Sequence, residues 1–452
     1  MFDPVIPTAP VPLAPTKGLD LGPLLDRVLD PEFGLIRYLS EVPVQSGEPD
    51  IFIAVAEYAN PLETPPRAEI SRARMLNRQS AGAGLDRLST LWATVGEALE
   101  RYAGMIYSDD DIIRARAADL APDACVLPDQ FILFTPEQYA LNGFPFSRFD
   151  PELPMGWTPA RRLSDGRELM LPAALVYMGY HAKDRREILA DVYSTGLAIG
   201  PDQDWAAATA LREAIERDCF GLHWATRTPP RRIDLEPFLD RMDPAFARLC
   251  RHEGVDLFVG DMTTDLGVPG IISIVRPRQH PGIALGASCH PCPAQALEKA
   301  VIESFHTYNW LVEMRRWPQD MAPEAVRGFA DHVRLYLADT QVFDASFLWS
   351  GTVRSTLFDD PAAFDTPTPA QQIAGLRTTL TDKGHQAYLV DVTPADIADL
   401  GLCAVRAVTP SLQPIWAGAG RAGLDRRRID QFLAATGQPL DTPINVDPHP
   451  FP

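Results

Sequence analysis

The chain has 452 residues, 46% of them hydrophobic and 22% charged, with a formal net charge of -19. That length allows two or three domains' worth of core, and the acidity argues against broad electrostatic binding to nucleic acid or an anionic membrane. No apolar run is long enough to span a bilayer, the first 15 residues carry five prolines and no basic segment, and six scattered cysteines make no disulfide scaffold, so a reduced, cytoplasmic setting is expected.

In chain order, residues 1–20 are Pro-rich and expected to be mobile. Leu21 to Arg27 has a short helical pattern, and Ile51 to Ala56 reads as a strand. A longer helix is predicted from about Leu88 to Ala103. Residues 122–172 are rich in proline and aromatics and should form loops and short strands. Leu171 to Tyr180 is a further strand candidate. Helices are predicted near 203–224 and 293–314, with Val255 to Val259 and Ile271 to Val275 as strands between them. Tyr388 to Val392 and Leu402 to Val408 are two late strands. The mixture predicts an α+β fold rather than a regular alternation of strand and helix. The last twelve residues hold four prolines and no periodicity, and read as a tail.

Three of the helices carry acids. In the first, Glu97 and Glu100 lie three apart on one face, opposite a stripe of Leu88, Leu91, Trp92, Val95, Leu99 and Tyr102; alone this reads as a solvated face. The second repeats the pattern as Glu213-Ala-Ile-Glu216-Arg217-Asp218. One side holds Leu211, Ala214, Ile215 and Leu222, and the acidic side holds Ala206, Thr209 and Phe220, with Trp224 at its margin. A helix small or apolar on both sides is buried on both, and its carboxylates need a compensating cation. The third, from Ala296 to Val312, is apolar all round, with Glu303 among Ala296, Ala300, Thr307 and Trp310. Glu303 is then either a hydrogen-bonded core acid or the partner of an arginine or a metal. Acids from several helices suit nucleotide-bound Mg2+, which takes hard oxygen ligands, and Arg217 beside Glu216 suits a phosphate.

These residues resemble the YcaO family. Ser80-Ala-Gly82-Ala83-Gly84, followed by Glu97-Ala-Leu-Glu100-Arg101-Tyr102, is similar to the family's Ser-x-Gly-Lys-Gly and Glu-Ala-x-Glu-Arg elements, at matching spacing. Gly196 and Gly200 with Glu213-x-x-Glu216-Arg217-Asp218 resemble its second signature, and Gly286 to Glu303 the third. Val408-Thr-Pro410-Ser-Leu412-Gln413-Pro414 is similar to a late Val-x-Pro-Gly-Leu-Gln-Pro segment. The resemblance runs from about Asp30 to Asp430. Pro448-His-Pro450-Phe-Pro452 looks like the Pro-x-Pro-x-Pro ending of the family's azoline-forming members.

The resemblance implies a YcaO-type domain over 21–440, between a Pro-rich N-terminus (1–20) and a functional tail (441–452). It implies ATP-dependent cyclodehydration of Cys, Ser or Thr residues in a ribosomally made precursor peptide. Glu97, Glu100, Glu213 and Glu216 would serve Mg2+. Ser80, Gly82, Gly84 and Arg217 would serve ATP, with Glu303 supporting the same site. His306 would be either a core histidine or an active-site base, and Pro448, Pro450 and Pro452 would order the site. The resemblance further implies a separate E1-like partner that binds the precursor's leader, in some pathways a flavin-dependent dehydrogenase downstream, and a homodimer. Two other readings are a thioamide-forming relative and a degenerate, non-catalytic subunit. Several positions depart from the family pattern. Ala83 replaces the lysine of Gly-Lys-Gly, and Ala93 replaces a helix serine. Pro201 and Trp205 stand where Asn and Glu are usual, and His306 and Tyr308 where Gln and Arg are. Cys289-His290-Pro291-Cys292 lacks a second ligand pair and reads as an incidental loop.

Overall fold

The structure, a computed structural model, describes residues 20–45, 48–61, 78–121, 123–317, 321–337 and 344–452. The expectation of mobility for the N-terminus falls outside the described residues, apart from Asp20. That residue caps α1 (Leu21–Val28) by accepting from the Gly22 amide, and the helix buries Leu21, Leu24 and Val28.

Three antiparallel sheets follow, each backed by one of the acidic helices. The first has the order β1 (Ile36–Val42), β2 (Phe52–Tyr58), β3 (Gln79–Gly84), and α2 (Arg87–Ala103) lies on β2 and β3. The second begins with β4 (Ile113–Ala115), β5 (Met155–Arg162), β6 (Glu168–Pro172) and β7 (Leu197–Gly200). After it comes α3 (Gln203–Thr226), buried along nearly its whole length. The third sheet comprises β8 (Arg231–Arg232), β9 (Val255–Asp261), β10 (Gly270–Pro277) and β11 (Ala284–Cys289), in the order β11-β10-β9-β8. On its β10 and β11 lies α4 (Pro293–Arg316). The chain then adds α5 (Phe329–Leu335) and α6 (Pro369–Asp382). It returns to complete the second sheet with β12 (Tyr388–Asp391) and β13 (Cys403–Val408) before α7 (Arg426–Thr436). That sheet runs β4-β5-β12-β13-β7, with β6 on β5, and α3 packs across β13 and β7. The α+β class is as expected.

One expected strand is cut short. The apolar run from Leu171 to Tyr180 pairs only as far as Pro172, and Ala173–Leu175 is a single 3-10 turn. Proline has no N–H to extend the ladder. The run's hydrophobicity serves burial instead: Ala173, Val176, Tyr177 and Tyr180 sit in the core.

Small residues set how close the acidic helices come to their strands. A Cβ on Gly82 of β3 would stand 2.5 Å from Thr94 Oγ1, and one on Gly286 of β11 would stand 2.3 Å from the Ser304 amide nitrogen. Backbone therefore lies directly on helix, and hydroxyls stitch the contacts: Ser80 donates to the Thr94 carbonyl at 3.2 Å, and Ser273 and Ser304 share a buried bond of 2.7 Å.

The tail is packed rather than loose. His449 and Phe451 are buried, and the chain from Asn445 onward lies against α3. Asn445 donates to the Trp224 carbonyl, Trp224 Nε1 donates to the Asp447 carbonyl at 2.8 Å, and Tyr336 donates to the Pro448 carbonyl at 2.6 Å. His449 bonds the Trp416 carbonyl at 2.8 Å, and the His449 carbonyl accepts from His332.

If close approach at β11 is essential, Gly286→Ala should lower stability by about 2–3 kcal/mol in urea unfolding. Gly375→Ala, at an exposed position in α6 where a Cβ meets nothing within 4 Å, should instead raise it by about 0.5–1 kcal/mol.

Candidate active site

The carboxylates of α2, α3 and α4 converge where the three helices meet. In α2 and α3 the first glutamate of each pair is anchored in the same way. Glu97 accepts from the Ala81 amide of β3 at 3.0 Å and pairs with Arg101 one turn on. Glu213 accepts from the Gly196 amide at 3.0 Å and pairs with Arg217 one turn on, also at 3.0 Å. Each acid is thus fixed by a strand-side N–H and an arginine at i+4. Arg217 also holds the buried Glu216. On α4, Glu303 pairs with the exposed Lys299 at 3.4 Å.

The second glutamates carry the strain. Burial, followed by the charges of Glu213 and Glu97, pushes the Glu100 carboxyl far above its ordinary range, against the pull of Arg101 and Lys299. Burial raises Glu216 to about 8, with Glu303 and Glu213 adding to it, although Arg217 opposes them. Burial lowers the pKa of His306 despite Glu97 and Glu303 nearby, which keeps the ring neutral.

Of the residues singled out from sequence, the structure brings Glu97, Glu100, Glu213, Glu216, Arg217, Glu303 and His306 to this junction. Ser80, Gly82 and Gly84 lie behind it, in the contact of β3 with α2, where Ser80 is buried on the Thr94 carbonyl and a Cβ on Gly84 would meet Thr90 Oγ1 at 2.7 Å. Ala83 packs into apolar core. The tail prolines reach the junction indirectly: the Arg217 guanidinium sits 4.5 Å from the centre of the Phe451 ring, between Pro450 and Pro452. Asp218 points the other way. It holds Arg428 through two bonds of 2.9 and 2.6 Å and accepts from the Gln413 amide at 2.7 Å. Breaking such a buried pair costs about 3–5 kcal/mol. The Cys289 and Cys292 thiols diverge: Cys289 Sγ lies 3.7 Å from Cys219 Sγ, and Cys292 donates to the Ala363 carbonyl.

Two cations were missed. Arg101 fixes Glu97. Arg406 on β13 is buried beside Glu213 and Glu100. An arginine inside Leu402-Cys-Ala-Val-Arg406-Ala-Val408 was the available signal, because unpaired charge is rarely buried in a strand.

The donor set fits Mg2+ and a phosphate. It consists of carboxylate oxygens, which suit a hard cation, and they are crowded enough that Glu100 and Glu216 hold protons unusually tightly. Among the described residues, no three His, Cys, Asp or Glu side chains already stand as a metal cluster. Arg101 and Arg217 take the carboxylates' charge in this arrangement. The buried, unpartnered nitrogens of Arg101 (Nε) and Arg406 (Nη1) fit an incoming anion.

The assembly of three helix-backed antiparallel sheets has known counterparts. Residues 81–413 match the model of the YcaO cyclodehydratase family, described as ATP- and Mg2+-binding. The chain belongs to that family. An uncharacterized protein encoded in the tfuA 3' region of Rhizobium leguminosarum bv. trifolii is 24% identical over 246 residues, 51% of this chain and 58% of that protein. A heterocyclase in complex with substrate and cofactor has a TM-score of 0.75 at 22% identity, over 95% of this chain and 57% of the other. YcaO from Methanopyrus kandleri, bound with AMPPCP and Mg2+, has a TM-score of 0.58 at 15% identity, over 84% and 86% of the two chains. The E. coli microcin synthetase McbBCD complex gives 0.55 at 14% identity, over 82% and 87%. The structural likenesses establish a shared fold. The chain spans between half and three fifths of the curated relatives it matches.

The tail's histidines make its docking sensitive to pH. Burial lowers the pKa of His332 to about 4, and burial together with the neighbouring His332 puts His449 well below its usual value. Asp331 favours protonation of His332 too weakly to reverse this, and Arg217 reinforces the lowering at His449. Released from the cage, both rings return to an ordinary value near 6.5. The released state then binds more protons, so docking is fully present above about 6.5 and weakens as pH falls towards 4. Trp224 and Trp416, whose rings flank His449 at 6.4 and 5.2 Å, should report the release by fluorescence. His449→Phe should flatten the transition.

Proposed function

We propose that the chain is an ATP-dependent azoline-forming cyclodehydratase acting on Cys, Ser or Thr residues of a ribosomally made peptide. The observation that carries this reading is the position of Phe451. The Pro448 to Pro452 segment, of the kind that resembles azoline-forming members, lies against Arg217, the arginine that joins Glu213 to Glu216.

In the reaction, the peptide's thiol or hydroxyl adds to the preceding backbone carbonyl carbon. The former amide oxygen takes a phosphoryl group and leaves as phosphate, and the amide nitrogen loses its proton to form the ring's C=N bond. The net change is loss of one water. Mg-ATP, when bound, supplies the phosphoryl group that makes the amide oxygen a good leaving group. The chain's own residues divide the remaining work. Glu97, Glu100, Glu213 and Glu216 would hold the metal, and Glu303 would support them from α4. Arg217 would meet phosphate. His306, kept neutral by burial, is in the form that accepts a proton from the attacking side chain. The docked tail covers Arg217 and keeps water from that side.

In this reading the peptide is delivered by an E1-like partner that holds its leader. A flavin-dependent dehydrogenase would oxidise the ring where an azole is made, and the chain would act as a homodimer in the cytoplasm. A second reading, a non-catalytic YcaO subunit, is favoured by Trp205. Its ring lies so close to Gly200 that a Cβ there would stand 2.3 Å from it, at a position where a polar residue is usual.

Combining the chain with such a partner, a precursor peptide and Mg-ATP should release phosphate and remove one water mass per modified residue. Wild-type protein that binds Mg-ATP but leaves the peptide mass unchanged would favour the second reading. Glu100→Gln should slow water loss about 100-fold, the size of effect seen when a group stabilising transition-state charge is removed, without lowering the melting temperature. Deleting Pro450 to Pro452 should slow it too, and an unchanged rate would sink the role given to the tail.

A further inference from the structure

Arg406 is a buried cation that takes part in none of the described ion pairs. It is 6% exposed, it points from β13 towards Glu213 and Glu100, and among the described residues its guanidinium has no hydrogen bond and no ion pair. By contrast, Arg428, similarly buried, is held by two aspartates. Burial pulls the Arg406 pKa down to about 10, opposed only in part by the two glutamates. An arginine kept charged in such a place without a fixed partner is a liability to the fold, so its use lies in something that arrives.

What arrives is set by charge and place. Arg406 and Arg217 both line a cavity of about 150 Å3, together with Ile132, Val192, Tyr193 and Ile415. The glutamates adjoin the same two arginines. Arg406 therefore stands on the boundary between the carboxylates, where a metal nucleotide would sit, and an apolar cavity. The group crossing that boundary in the proposed reaction is the terminal phosphoryl.

We propose that Arg406 is a terminal-phosphoryl subsite, a guanidinium that donates to the γ-phosphoryl oxygens of a nucleoside triphosphate on the side facing the cavity. The inference rests on the nucleotide-dependent reading given above. It predicts discrimination by nucleotide rather than nucleotide binding as such. A charge-assisted contact of this kind makes about a 10- to 100-fold difference in affinity.

Calorimetric titration with Mg-AMPPCP and Mg-ADP tests it without any peptide. The wild-type chain should bind AMPPCP at least about 10-fold more tightly than ADP. Arg406→Gln should bring the two affinities within about threefold, leave the ADP affinity within about threefold of wild type, and melt no lower than wild type without nucleotide. Arg406→Lys keeps the charge but loses the fork, and it should melt like wild type with at least a threefold smaller preference. The subsite is overturned if either folded variant keeps the full preference, if ADP and AMPPCP weaken in parallel, or if the wild type shows no preference. A wild-type chain that binds neither nucleotide overturns the nucleotide reading itself and this inference with it.

Discussion

The site depends on one constraint: five carboxylates stand at a helix junction that supplies too few fixed cations for them. Arg101 serves Glu97, Arg217 is divided between Glu213 and Glu216, and Lys299 reaches Glu303 from an exposed position. Among the described residues Glu100 has no partner of its own, and its carboxyl is driven to hold its proton. Fully paired, these acids would form a closed salt-bridge network and the cleft would have nothing to attract. Such a deficit would favour a hard divalent cation, because binding would offset the repulsion. A fold keeps such a deficit only where the surrounding structure over-determines the positions of the charges.

That over-determination comes from the sheets. Glu97 and Glu213 are held by backbone amides of Ala81 and Gly196, each lying 16 or 17 residues earlier and each at the strand against which the acid's own helix packs. The two Glu-x-x-Glu-Arg runs are therefore two copies of one local device: strand amide, first glutamate, arginine one turn on. The first glutamate and the arginine neutralise each other and fix the helix face. The second glutamate is carried along in the fixed frame: Glu100 has no arginine of its own among the described residues, and Glu216 shares Arg217 with Glu213. The glycines of β3 and β11 bring helix and strand backbones into contact, which keeps the frame from relaxing.

How much of this could be read from the chain follows from the range of each interaction. The acidic helices, the late strands and the α+β class were legible because periodicity is local. The burial of Glu216 was legible too, since Ala206, Phe220 and Trp224 leave no wet side to that helix. The anchoring amides were not, because a backbone N–H has no sequence signature. Ser80, Gly82 and Gly84 read as nucleotide-loop residues, and their close packing on α2 was not legible, since a Ser-Gly-Gly pattern serves close packing as readily as phosphate binding. Arg406 was visible as an anomaly in an apolar strand, but its neighbours come from two other helices, 193 and 306 residues away in the chain for Glu213 and Glu100. The end of the Leu171 to Tyr180 strand was visible in Pro172 and was outweighed by hydrophobicity.

The tail turns an irregular segment into part of the site by the same economy of fixed groups. A Pro-rich stretch loses little backbone entropy on docking, because its φ angles are already set. Its carbonyls at Asp447, Pro448 and His449 are each taken by a side chain of the domain, Trp224, Tyr336 and His332. That leaves the rings of His449 and Phe451 free to choose their neighbours, and both lie against Phe220 on the helix that carries Glu213 and Glu216. Phe451 then presents its face to Arg217. A guanidinium over an aromatic ring keeps its charge, so the tail leaves the charge of Arg217 in place. The tail therefore packs on the arginine that holds Glu213 and Glu216, through the ring of a residue 234 positions further along the chain.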